Sequence, residues 1–252
     1  MANYDNQPRF GATVARGAES AIDAGLRAHM IRVYNYMAIG LVLTGLAAFA
    51  TFNLSFTDVG GQLALTPIGQ ALFGSPLMWV LVLAPLGLVF FLSFRISKMS
   101  VGAAQATFWG YAALLGVSLG AIFAVYTTTS ITQVFIITAG TFGAMSLWGY
   151  TTKRDLTGMG SFLFMGLIGI IIASIVGIFW QSTALQFAIS VIGVLVFTGL
   201  TAYDTQKIKE MYYVGDDGTV AGRKAIMGAL SLYLDFINLF LMLLRLFGQA
   251  RN

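Results

Sequence analysis

Seven apolar runs alternate along the chain with short polar breaks, and each is close to the length a helix needs to cross a bilayer. At 1.5 Å per residue, about 20 residues span a hydrocarbon layer ~30 Å thick. The runs cover Val33 to Phe52, Leu77 to Phe94, Gly102 to Tyr126, Ile131 to Tyr150, Phe162 to Trp180, Leu185 to Ile208 and Ala225 to Phe247. They predict an all-α integral membrane protein, a seven-transmembrane-helix bundle. The chain divides into a polar segment at 1–32, a transmembrane domain at 33–248 and a short tail at 249–252. Composition agrees: 58% of residues are hydrophobic and 10% charged, where soluble domains carry about 25% charge.

The basic residues orient the bundle. Before the last run they fall in the N-terminal segment and in alternate breaks, as Arg95 and Lys98, Lys153 and Arg154, and Lys207, Lys209, Arg223 and Lys224. The intervening breaks at 54–76, 127–130 and 181–184 hold none. This alternation predicts a cytoplasmic N-terminus. Arg245 and Arg251 break it if the seventh run crosses fully, whereas a re-entrant last segment would put all fourteen basic residues on one side. The net charge of +4 thus reads as a topology signal, and no nucleic-acid partner is expected. The polar first 32 residues carry no early apolar core of a cleavable signal peptide.

Ala112, Gly116, Gly120 and Ala124 form a stripe of small residues on the third run. Such a stripe lets two helix backbones approach closely, and it predicts a tight bundle with the third span central. Ser75-Pro76 marks a helix start, and Pro85 should kink or loosen the second span.

Of ten acidic residues, only Asp204 and Asp235 lie within apolar runs. A carboxylate at membrane depth costs at least ~2.5 kcal/mol on insertion scales, so it faces a protein interior or a water path. Gly215, Gly218 and Gly222 mark the turn between the last two spans. An antiparallel hairpin turning near Gly218-Thr219 sets Asp204 opposite Asp235, each roughly 15 Å from the tip. Two carboxylates sharing a low-dielectric site cannot both ionise cheaply, so the pair titrates as a unit. When ionised, the same pair offers oxygens to a hard cation such as Ca²⁺. Ser231 and Asn238 share a face with Asp235, and Thr201 and Thr205 flank Asp204. Arg95, closing the second span, is a candidate counter-charge that a carboxylate would hold and a proton release. The plainer alternatives are an interfacial Asp204–Lys207 ion pair and a hydrogen-bonded structural carboxyl at Asp235.

Enzyme chemistry fits poorly. The chain has no cysteine and one histidine. That residue, His29, is expected in solvent or at the interface, so no cofactor or His/Cys metal site is predicted. The five lysines lie at span ends or in loops, which leaves no buried amine.

At these residues the chain resembles the transmembrane Bax inhibitor motif (Bax inhibitor-1) family. ALSLYLDFINLFLMLLRLFG at 229–248 looks like its C-terminal signature, and YDTQKIK at 203–209 like its sixth-helix motif. The likeness extends over the seven-span layout. It implies a central helix ringed by the others, and a pH-sensitive calcium leak governed by a paired-aspartate sensor that maps onto Asp204 and Asp235. A basic latch to the sensor maps approximately onto Arg95. An acidic residue that some relatives carry in the second span is absent here, with Pro85 in that neighbourhood. Ca²⁺ and H⁺ are then the ligands, Ca²⁺ as transported ion, and membrane lipid the surroundings; the location implied is the bacterial inner membrane. The other implied function is regulatory. Some bacterial relatives modulate a membrane-bound AAA protease and animal relatives suppress cell death, which would make the charged N-terminal residues the surface for a membrane partner.

Overall fold

The structure, a computed structural model, describes residues 9–180 and 182–251, with side chains from residue 22 onward. The first eight residues and the side chains of 9–21, which include much of the expected partner surface, lie outside the described residues. Helix α1 spans Arg9–Ser55, followed by strands β1 (Phe56–Val59) and β2 (Gln62–Leu65) and helix α2 (Pro67–Phe73). Helices α3 (Leu77–Arg95), α4 (Val101–Leu119), α5 (Ile122–Val125), α6 (Thr128–Thr151), α7 (Thr157–Phe179), α8 (Thr183–Glu210) and α9 (Gly218–Phe247) complete the order. Among the described residues seven helices are long and apolar enough to cross a membrane, one for each predicted run, with α4 and α5 forming one span.

The first span begins earlier than its apolar run. Helix α1 passes unbroken through the boundary expected at Val33, because Ala, Glu, Leu and Arg upstream are strong helix formers. His29 is therefore neither in a loop nor solvated: it is 7% exposed, with its ring centroid 5.9 Å from that of Tyr212.

The centre of the bundle is α9, not the third span. In its most apolar window 72% of residues are buried, against 11–33% for the other six spans. The small-residue stripe instead brings α4 onto α1: a methyl on Gly116 would overlap the Thr44 carbonyl, and one on Gly120 the Thr51 side chain. Thr44 joins three helices there. Its hydroxyl lies 2.9 Å from the Ala112 carbonyl and 2.5 Å from the Tyr233 hydroxyl, and Tyr233 is wedged edge-on between Phe108 and Tyr111.

Pro85 sits inside a continuous α3. Lacking an N–H, it leaves the Leu81 carbonyl without its helical donor, and Ser118 of α4 donates to that carbonyl at 2.5 Å. Repair of this kind by a neighbouring hydroxyl is what lets proline sit within a span. Ser118→Ala strands the carbonyl in apolar surroundings and should cost about 1–3 kcal/mol, read as a lower melting temperature in detergent.

The two ends of the bundle differ. At the basic end, lysine and arginine satisfy carbonyls where helices finish: Lys209 Nζ donates to Tyr150 O at 2.9 Å, Arg223 Nε to Met99 O at 2.7 Å and Lys224 Nζ to Met211 O at 2.9 Å. Cations at these positions also oppose the helix dipoles. In the loop leading into α7, the Thr157 hydroxyl and N–H hydrogen-bond the Asp155 carboxylate and hold it below the usual range. At the far end the segment after α9 pairs with the loop between α5 and α6. Arg251 N donates to Val125 O at 2.8 Å and Thr127 N to Gln249 O at 3.1 Å, and the Arg251 guanidinium lies 5.3 Å from the Phe52 ring centroid. The last helix thus traverses the whole bundle, which overturns the re-entrant alternative. Arg245 and Arg251 both stand at this far end as exceptions to the charge alternation, Arg251 docked on an aromatic ring.

The break at 54–76, expected as a loop, is a β-hairpin and a short helix. Gly60 and Gly61 take φ of +67° and +88°, the two positive values a tight hairpin turn requires. Thr66 caps α2 by accepting from Gly69 N.

Candidate functional site: a paired-aspartate cavity

The last two helices form the hairpin that carries the site. Its turn is set by Asp217, whose Oδ1 accepts from Thr219 N and Val220 N at 2.8 Å each, and by the Lys224–Asp216 ion pair. Ile208 packs on Gly228 and Met242 on Gly193, which fixes the register of α8 against α9. Asp204 thereby comes level with the turn of α9 from Ser231 to Asp235.

Both aspartates line one cavity of about 530 Å³ between α7, α8 and α9. Ser231 and Asn238 line it with them, and so do Ser161, Tyr203 and Lys207. The remaining walls are apolar, from Phe164, Leu167, Phe197, Leu200 and Leu234. Asp235 is 5% exposed, and its Oδ2 has no hydrogen-bond partner among the described residues. That contradicts the hydrogen-bonded structural carboxyl considered for it. A buried acceptor of this kind calls for a proton, water or cation. Asn238 donates its amide N–H to Leu234 O at 2.8 Å, which leaves its carbonyl oxygen as the free polar atom.

The simple ion pair is absent too. Lys207 makes no salt bridge to Asp204 among the described residues. Its ammonium lies 5.9 Å from the Tyr203 ring centroid, an exposed cation at the mouth of the cavity. Toward the far end the cavity stops at Asn238, beyond which Leu239, Phe240, Met242, Leu243 and Leu244 are buried. The polar lining is thus confined to the stretch that ends at Asn238, with apolar side chains of α9 packed beyond it.

Two expectations need correction. Thr201 and Thr205 are fully buried but turned toward α6: the Thr205 hydroxyl donates to Thr201 O at 2.7 Å and lies 2.9 Å from Ser146 Oγ, while Thr201 donates to Phe197 O. Neither lines the cavity. Arg95 is exposed at the end of α3, a helix that packs on α2 and α4, and it makes no ion pair among the described residues. Arg95→Gln should therefore leave any pH response of the aspartate pair unchanged, which flux measurements on that variant would check. Ser161 and Tyr203 were not singled out from sequence; Lys207 was, but as the ion-pair partner of Asp204 rather than as part of a cavity wall.

For a metal, the cavity supplies two carboxylates, the Ser231 hydroxyl and the Asn238 amide oxygen. No cluster of three or more His, Cys, Asp or Glu occurs among the described residues. Such a donor set suits transient contact with a hard cation better than storage.

The sequence is similar to those of known proteins. The family model described as inhibitor of apoptosis-promoting Bax1 matches residues 26–252. An uncharacterized protein of Rickettsia prowazekii is 48% identical over 230 residues, 91% of this chain and 93% of that protein. Inner membrane protein YbhL of Escherichia coli K12 is 48% identical over 231 residues, 90% and 94% of the two chains. An uncharacterized membrane protein of Streptococcus pyogenes is 35% identical over 227 residues, 90% and 95% respectively. The predicted location, a multi-pass protein of the bacterial inner membrane, agrees with what these relatives are called. With a family match across residues 26–252 and relatives 48% identical over about nine-tenths of the chain, the chain belongs to the Bax inhibitor-1 family.

Proposed function

We propose that this protein is a pH-sensitive calcium leak whose gate is the Asp204/Asp235 pair. The observation that carries the reading is Asp235 itself, a buried carboxyl with an unpartnered oxygen, set with Asp204 in one cavity that ends just beyond them. In apolar surroundings each carboxyl feels the other's charge strongly, so protons and cations compete for the same oxygens. Cation binding needs deprotonated carboxylates, so Ca²⁺ occupancy rises with pH and falls as protons take its place. Between the site and the far end lie the buried side chains of α9, and a rearrangement there completes the path. The N-terminus lies on the cytoplasmic side in this reading, which sets the mouth of the cavity toward the cytoplasm.

The test is Ca²⁺ entry into dye-loaded proteoliposomes from mildly acidic to mildly alkaline pH, beside protein-free liposomes. Flux above the control that changes with pH supports the leak. Flux equal to the control at every pH removes it and leaves the regulatory alternative. That alternative rests on the N-terminal segment, but Gly25 and His29 already pack against Tyr212. A deletion meant to remove a partner surface must therefore stop before Gly25; the leak reading expects such a deletion to be silent.

A further inference from the structure

A second, larger cavity of about 610 Å³ lies between α1 and α6, away from the aspartates. Its walls are apolar: Met30, Ile31, Met37 and Leu41 from α1 face Phe142 and Leu147 from α6. Polar groups occur at two places. On the floor, the Tyr34 hydroxyl lies 2.6 Å from Ser146 Oγ, which is in turn bonded to Thr205 of α8, so these hydroxyls satisfy one another. At the basic end stand Arg27, exposed and at the rim, and Tyr150, whose ring centroid lies 5.5 Å from the Lys209 ammonium.

The dimensions define an occupant. From Arg27 to Leu41 the groove runs along fourteen residues of α1, roughly 21 Å. That is the depth of one leaflet, about 15 Å of hydrocarbon plus part of the headgroup layer. Arg27 lies six residues before Val33, where the apolar run begins, so its Cα stands roughly 9 Å outside the hydrocarbon and its long side chain reaches back to the headgroup layer. The groove is thus an acyl-chain slot with a cation at headgroup height.

We infer that the groove between α1 and α6 is a binding site for an anionic glycerophospholipid, with an acyl chain along Met30–Leu41 and the phosphate on Arg27. Charge complementarity selects an anionic over a zwitterionic headgroup, because a juxtamembrane arginine favours net negative charge. The site is independent of the aspartate cavity and stands whether or not the protein conducts calcium.

Two variants test it. Gly143 lines the groove and a Cβ there meets open space, so Gly143→Leu directs a bulky side chain into the slot. Arg27→Gln removes the headgroup contact at an exposed position. Full-length protein in detergent would be given equimolar phosphatidylglycerol and phosphatidylcholine, and retained lipid counted by native mass spectrometry. Melting temperatures of all variants would be compared. Wild type is expected to retain phosphatidylglycerol preferentially, Arg27→Gln to reduce that preference about fivefold, and Gly143→Leu to abolish retention at wild-type melting temperature. Equal retention of the two lipids by wild type, or undiminished phosphatidylglycerol on folded Gly143→Leu, would overturn the site. Should Gly143→Leu fold poorly, Arg27→Gln decides alone: an unchanged preference contradicts the inference.

Discussion

Asp235→Asn is expected to remove the pH dependence of Ca²⁺ flux while leaving the bundle folded. The amide has the carboxylate's shape, fits the same cavity and titrates no proton. An amide also costs less to bury than a carboxylate, so the variant should melt no lower than wild type. Function and stability then part company, as expected where a destabilising group is retained for its chemistry. At an effective dielectric of about 20, a unit charge some 4 Å from another contributes ~4 kcal/mol. Losing one of two carboxylates should accordingly weaken the hold on Ca²⁺ by at least about 100-fold, read as a loss of competition between Ca²⁺ and protons. A variant that keeps the wild-type pH profile would show that Asp235 is not the titrating group.

The largest structural effect is expected at Gly149. A methyl there would overlap the backbone carbonyl of Ala202, and a backbone cannot swing aside as a side chain can. Gly149→Ala must push α6 off α8, straining the Ser146–Thr205 contact and the bond from Lys209 to Tyr150 O. Overpacking of this kind costs about 1–3 kcal/mol, sometimes more. Helix α8, on the other side of that contact, carries Asp204, so the pH profile of flux should shift as well. Gly140 on the same helix is the control, since a Cβ there meets nothing within 4 Å. Gly140→Ala should be neutral or slightly stabilising because alanine is the better helix former. Thermal melts of the two variants in detergent check the contrast; equal melting temperatures would contradict the close α6–α8 contact.

The spans were legible because run length and loop charge are direct physical requirements of a bilayer, and they recover all seven helices closely apart from the early start of α1. The aspartate pair was legible for a similar reason: a glycine-marked turn between two helices fixes which residues face each other. What was hidden is which helix neighbours which. In a membrane the lipid-facing and the core-facing surfaces are both apolar, so hydropathy could not reveal that α9 is central. The stripe on α4 encoded close approach to α1 and nothing about position in the bundle. Arg95 failed for the same reason, since its helix packs on α2 and α4. Thr205 follows Asp204 by one residue, a rotation of about 100°, and that carries it, with Thr201 one turn back, to the α6 side. Ser231 and Asn238, four before and three after Asp235, stay on its face. Gly60-Gly61, following Asp58, was a readable hairpin signal within a break that otherwise offers few constraining features.

The central claim is that Asp204 and Asp235 act as one titrating unit, and a double-variant cycle tests it most directly. Ca²⁺ flux across the pH range would be recorded for wild type, Asp204→Asn, Asp235→Asn and the double variant, each verified as folded. A single unit predicts that either substitution alone flattens the profile and that the double variant is no flatter than the singles. Separate, additive losses, or a profile that survives both substitutions, would contradict it.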